Sequence, residues 1–168
     1  MPINLELILA RSYKADALAY MDAHPEDFKK LVEIALSNHH HTNWRAAWLA
    51  FNCMEDNDLR LQPFIGRMVV LLPQLEEGHQ RELLKILFRM QLGEDHESLL
   101  FDHCVGLWES VKKSPSLRYI AFRFMMRVAE HYPELRHEIL VLTQPQYVNA
   151  LSPGIKNSVN KMIRILEV

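Results

Sequence analysis

Residues 42–54, TNWRAAWLAFNCM, place one basic residue, Arg45, inside a run of small and large apolar side chains at helical spacing. Ala47, Trp48 and Phe51 fall on one helical face, the period of an amphipathic helix rather than of a strand. Thr42 stands where an N-cap belongs, and Trp44, just inside, is placed to pack as a staple at the helix entrance. The histidines ahead of the cap, His39 to His41, then read as the turn between two helices. Adjacent side chains rarely converge on one ion, because metal sites draw ligands from separate elements with outer support.

Working outward, the same arrangement recurs. HQRELLKILFRM, SLRYIAFRFMMR and GIKNSVNKMIRI stack on NWRAAWLAFNCM when Arg45, Arg81, Arg118 and Lys156 share one column, 36, 37 and 38 residues apart. A weaker copy, SYKADALAYMDA, puts Lys14 in it. Two positions on come Ala47, Leu83, Ile120 and Ser158; three on, Trp48, Leu84, Ala121 and Val159; six on, Phe51, Leu87, Phe124 and Met162. Between the copies lies another amphipathic stretch each time, roughly Pro25 to Leu36, Leu59 to Leu72, Glu97 to Val111 and Leu135 to Leu142. One helical pair cannot bury its apolar face alone, so stacking supplies the core and the end pairs are atypical. The loss of similarity before Pro25 fits such a cap.

A pattern of this kind resembles the HEAT and armadillo-like α-solenoids, whose second helix opens with a turn residue followed by apolar-Arg-x-x-Ala-x-x-x-Leu, as in TNWRAAWLAF and SPSLRYIAFRFM. The resemblance implies an all-α fold, a right-handed α-α superhelix of about four to five stacked helical pairs. It implies a single α-solenoid domain over 1–168, with a cap at about 1–24 and repeats at about 25–56, 57–92, 93–131 and 132–168. The Asp often found just before the Arg is absent, His40, Glu76, Lys113 and Leu151 standing there, so an Asp–Arg ladder is not carried over. The tetratricopeptide pattern cannot be traced through the copies.

Composition agrees with helix. The 168 residues are 49% hydrophobic and 24% charged, with 8 methionines against 5 glycines, and Gly costs roughly 1 kcal/mol inside a helix. Pro25, Pro115 and Pro153 open helical segments where a missing N–H costs nothing, and Ser114 and Ser152 precede two of them as caps. The longest apolar run, Met68 to Leu72, is far shorter than the about 20 residues a membrane span needs. The start, MPINLELILARSY, has no basic region ahead of its apolar residues and does not read as a secretory signal, which points to a cytoplasmic protein.

No catalytic constellation is visible: no Gly-rich phosphate loop, nucleophile elbow or ligand cluster. Cys53 and Cys104 lie on apolar helical patterns and read as small buried residues. His96 and His103 are seven apart, where a helical zinc pair prefers four, so neither a metal nor a cofactor is expected. Trp48 shares a column with Leu84, Ala121 and Val159 and reads as core; Trp44 and Trp108 are less determined.

Charge carries the functional reading. The net charge is only −2, yet the last three second helices hold Arg81, Lys85 and Arg89, then Arg118, Arg123 and Arg127, then Lys156, Lys161 and Arg164, against Glu82 and Glu130 alone. The acids gather on first helices and turns, as at Glu94, Asp95, Glu97, Asp102, Glu134 and Glu138. Spacings of four put the basic residues in stripes along one helix face, with Tyr119 beside them. In the family resembled, second helices line the concave binding surface, so the expectation is a non-enzymatic scaffold that binds an acidic protein or peptide there. The chain is also similar to HEAT-like DNA-alkylation-repair proteins, which implies nucleic acid as the alternative ligand. Glycosylase chemistry would need a carboxylate and aromatics gathered at a basic groove, and the basic helices offer only Glu82 and Glu130.

Overall fold

Every regular element among the described residues is helical, as the leucine- and methionine-rich composition predicts. The structure, a computed structural model, describes residues 3–38 and 41–168, so His39 and His40 of the histidine run lie outside the described residues. The chain divides into two compact units, residues 1–92 and 93–168.

In the first unit α1 (Leu5–Arg11) is capped by Asn4, whose side chain accepts the Leu7 N–H at 2.9 Å. It packs on α2 (Lys14–Ala23), and a 3₁₀ turn at Pro25–Asp27 leads into α3 (Phe28–Ala35). Then come α4 (Asn43–Cys53), α5 (Ile65–Leu71) and α6 (Glu77–Phe88). α4 is the hub, packed on α2, α3 and α6. Its alanines explain why: Ala46, Ala47 and Ala50 are fully buried, and side chains this small let three helices approach one. Leu31, Val32, Leu49, Leu83, Ile86 and Leu87 fill the space between, each contributing about 1.5–3 kcal/mol by leaving water.

In the second unit α7 (Glu94–Glu109) packs on α8 (Pro115–His131) through Leu100, Cys104, Leu107 and Trp108, the i, i+4, i+7, i+8 stripe of α7. Two short helices, α9 (Arg136–Val141) and α10 (Pro145–Val148), lead to α11 (Pro153–Leu166), which covers α8 through Val159. α8 is buried on most of its circumference, leaving Ser116, Tyr119, Arg123, Arg127 and Glu130 as its solvent edge.

The column residues largely form the buried seam. Ala47, Leu83, Ile120, Leu84, Ala121, Val159, Leu87 and Phe124 are buried, whereas Trp48, Phe51, Ser158 and Met162 stay half-exposed. Trp48 is therefore not a core residue as its column suggested. Thr42, Ser114 and Ser152 stand at the N-cap positions of α4, α8 and α11 but none makes a side-chain capping bond, so these helices start by position and, at Pro115 and Pro153, by fixed φ alone.

The largest departure is α5, expected from Leu59 and beginning at Ile65. Asn57 holds a left-handed backbone (φ 49°), which Asn tolerates better than most residues, and Pro63 falls inside a 3₁₀ turn, Gln62–Phe64. The chain can wind helically only after both. No helix among the described residues is long and apolar enough to cross a membrane.

Candidate functional site

The outer face of α4 and α6 in the first unit is a strip of aromatic rings with cations lying over them. Trp44, Trp48 and Phe51 follow one another along α4; Trp44 is 50% exposed and the other two are half-buried. The Lys14 ammonium, at the start of α2, lies 5.2 Å from the Trp48 ring centre. From α6, the Lys85 ammonium and the Arg89 guanidinium lie 5.6 and 5.4 Å from the Phe51 ring centre. Such pairs are worth about 0.5–1 kcal/mol at exposed sites, which biases a flexible cation toward the ring but is less than the about 2 kcal/mol of rotamer entropy needed to fix it.

The α6 stripe is less basic than its sequence. Glu82 points between its neighbours with a carboxylate only 4% exposed, 3.6 Å from Arg81 Nε and 3.2 Å from Lys85 Nζ. Arg89 Nε donates to Asp56 at 2.7 Å, and its terminal nitrogens reach the Phe51 and Met54 carbonyls at 3.4 Å. Arg89 thus ties the end of α4 to the end of α6, while Arg81 and Lys85 stay half-exposed.

In the second unit the solvent edge of α8 carries Tyr119, Arg123 and Arg127. The Arg123 guanidinium lies 5.8 Å from the Tyr119 ring centre, and that of Arg127 4.8 Å from Phe124. Arg123 is exposed; Arg127 is half-buried, and burial pushes its pKa down against the opposing pull of Glu97, Cys104 and Glu130. On α11 Lys161 and Arg164 are exposed, while Lys156 donates to the Asn149 side chain at 3.2 Å.

Arg118 does not belong to this face. It is fully buried, its Nε donating to the Trp108 carbonyl at 2.9 Å and its Nη2 to the Tyr147 carbonyl at 2.6 Å, with the guanidinium 4.5 Å from the Trp108 ring centre. The side chain closes orphan carbonyls at the end of α7 and in α10, and burial lowers its pKa. Trp108, also fully buried, gives its indole N–H to the Leu142 carbonyl at 2.7 Å and packs on Phe122. It offers no stacking surface to a ligand.

Burial pushes both thiols up, Cys53 half-buried and Cys104 fully buried, so neither is activated as a nucleophile. Among the described residues no group of three or more His, Cys, Asp or Glu side chains is placed to hold a metal ion.

Two features lay outside the sequence reading. The first is a knot in the loop between α4 and α5: Asp58 accepts the Glu55 and Arg60 backbone N–H groups at 3.1 and 3.0 Å and the Arg60 side chain at 3.0 and 2.8 Å. These bonds hold its carboxyl down to about 2. The cluster EDNDLR, residues 55–60, carries the signal, since Asp and Asn bond to backbone a few residues on. The second is a groove beside α7, lined by Phe101, Leu135 and carboxylates of α7 and α9.

A family model described as a HEAT repeat domain matches residues 8–166. Neither a curated protein nor a solved structure matches the chain.

Proposed function

The chain belongs to the HEAT repeat family, and from that premise we propose that it is a non-enzymatic interaction module that takes an acidic protein or peptide on the basic face of its second helices. HEAT repeats generally serve as protein-interaction scaffolds. The observation that carries the reading is a cation laid over a ring in each unit: Lys14 over Trp48 and Lys85 over Phe51 in the first, and Arg123 over Tyr119 in the second. A cation biased toward a ring keeps N–H donors at its edge for a carboxylate and has part of its rotamer freedom already restricted, which lowers the cost of binding. The rings supply apolar area between the charges, and aromatic and arginine side chains are the ones that anchor protein interfaces.

The test is titration of a labelled Glu/Tyr peptide into the wild type, Lys85→Ala and Arg123→Glu. Arg123 is exposed and Lys85 half-exposed beside Glu82, and loss of affinity by about tenfold or more in either is the expected outcome. Unchanged affinity in both variants contradicts the proposal. Single-stranded DNA is the discriminating ligand: tighter binding than the peptide, with a steep linear fall of log affinity against log salt, would transfer the face to nucleic acid.

A further inference from the structure

α7 has 16 residues and α9, whose residues face it across two cavities, has 6. One helix is therefore too short to cover the other. The uncovered flank is a groove of two cavities, about 350 and 310 Å³, that share Phe101 and Glu138. Phe101, Val105, Leu135 and Leu142, all half-buried, and the exposed Val141 give its apolar lining over the buried Val128 and Ile139, Val105 standing one turn beyond Phe101 on α7. Its rim is acidic: Glu94, Glu97, Asp102 and Glu109 come from α7, Glu134 and Glu138 from the opposite wall. His137 is the only basic side chain in the lining of either cavity.

Behind the groove Arg127 of α8 feels Glu97. No ion pair among the described residues neutralises Glu94, Asp102, Glu134 or Glu138. The carboxylates do not gather into a metal-binding group but are spread along both walls. At 1.5 Å per residue the α7 wall is roughly 24 Å long, about four helical turns.

We propose that this groove is a second docking surface, opposite in charge to the first, and that its occupant is an amphipathic helix of a partner protein with apolar residues on one face and lysine or arginine flanking them. The apolar floor takes the hydrophobic face at helical spacing, and the separated carboxylates meet the flanking cations. Charge complementarity selects this occupant: an acidic or neutral helix would leave the rim carboxylates facing like charge or no partner. The scaffold then joins a basic segment to an acidic one.

The experiment is calorimetric titration of a synthetic Leu/Lys amphipathic helix of about four turns, beside its Leu/Glu twin and a Gly/Lys peptide of equal charge. The wild type binds the Leu/Lys helix, and binds the other two at least about tenfold more weakly. Glu134→Lys with Glu138→Lys, both exposed positions, lowers affinity for the Leu/Lys helix by about tenfold or more, and Arg123→Glu leaves it unchanged. Val141→Lys, exposed and lining the adjoining cavity, gives an independent loss should the paired variant fold poorly. Absence of binding, equal binding of the Gly/Lys peptide, or unaltered affinity in the groove variants overturns the proposal.

Discussion

At the residue scale, Arg118 shows how one column of a repeat can serve different ends. Arg45 and Arg81 stay half-exposed at that position, while Arg118 is buried, with Nε and Nη2 donating to the Trp108 and Tyr147 carbonyls and Nη1 buried without a hydrogen-bond partner. Arg118→Ala removes two buried charge-assisted bonds and leaves two carbonyls orphaned, so it destabilises the second unit by about 3 kcal/mol, read by urea denaturation. Affinity for an acidic peptide at the Lys85 face is unaffected. Asp58 makes the corresponding case in the first unit. Its folded pKa of about 2 lies below the ordinary 3.8, so its contribution, about 2 kcal/mol, is present above pH 3.8 and lost as pH falls toward 2. Asp58→Asn lowers stability at neutral pH and flattens that acid limb; an unchanged acid limb contradicts the account. The basic column itself was legible, since a repeat places equivalent residues at a fixed interval. The burial of Arg118 was not, because it depends on α10 docking 29 residues along the chain, and no periodicity near Arg118 encodes that.

At the element scale, the helices with strong start signals are the ones the sequence located. α8 and α11 begin at Pro115 and Pro153, whose fixed φ suits a first turn; the serines before them stand at the N-cap positions but make no side-chain capping bond. The apolar period predicts α5 from Leu59, but Asn57 and Pro63 impose backbone angles that override it. The start of α6 is tied to the end of α3 by a contact no pattern announces: His79 Nε2 bonds the carbonyl of Ala35, the last residue of α3, at 2.5 Å. An N–H facing a carbonyl is the donor, and burial lowers the His79 pKa below its ordinary 6.5. With the folded pKa depressed, the unfolded chain takes up the proton first. Stability of the first unit is thus full above pH 6.5 and declines as pH falls below it, before the Asp58 limb begins. Chemical denaturation of wild type and His79→Gln across pH 7 to 5 checks this: the slope is present in the wild type and lost in the variant.

At the scale of the whole molecule, the partition of charge is the feature that composition conceals. A net charge of −2 says nothing of partners, yet cations collect on second helices and carboxylates on first helices and turns. That partition was readable from the repeat alone. What needed the structure was its geometry: rings of α4 beneath the cations, Glu82 and Asp56 reducing the α6 stripe, and a groove that opens because α9 is short. The central claim, that the second-helix face is where an acidic partner binds, is tested most directly by assigned amide chemical-shift mapping during titration with the Glu/Tyr peptide. Saturable shifts concentrated on Trp44 to Phe51, Arg81 to Arg89 and the Tyr119–Arg123 edge are predicted. Shifts confined to α7 and α9, or none at saturating peptide, would contradict it.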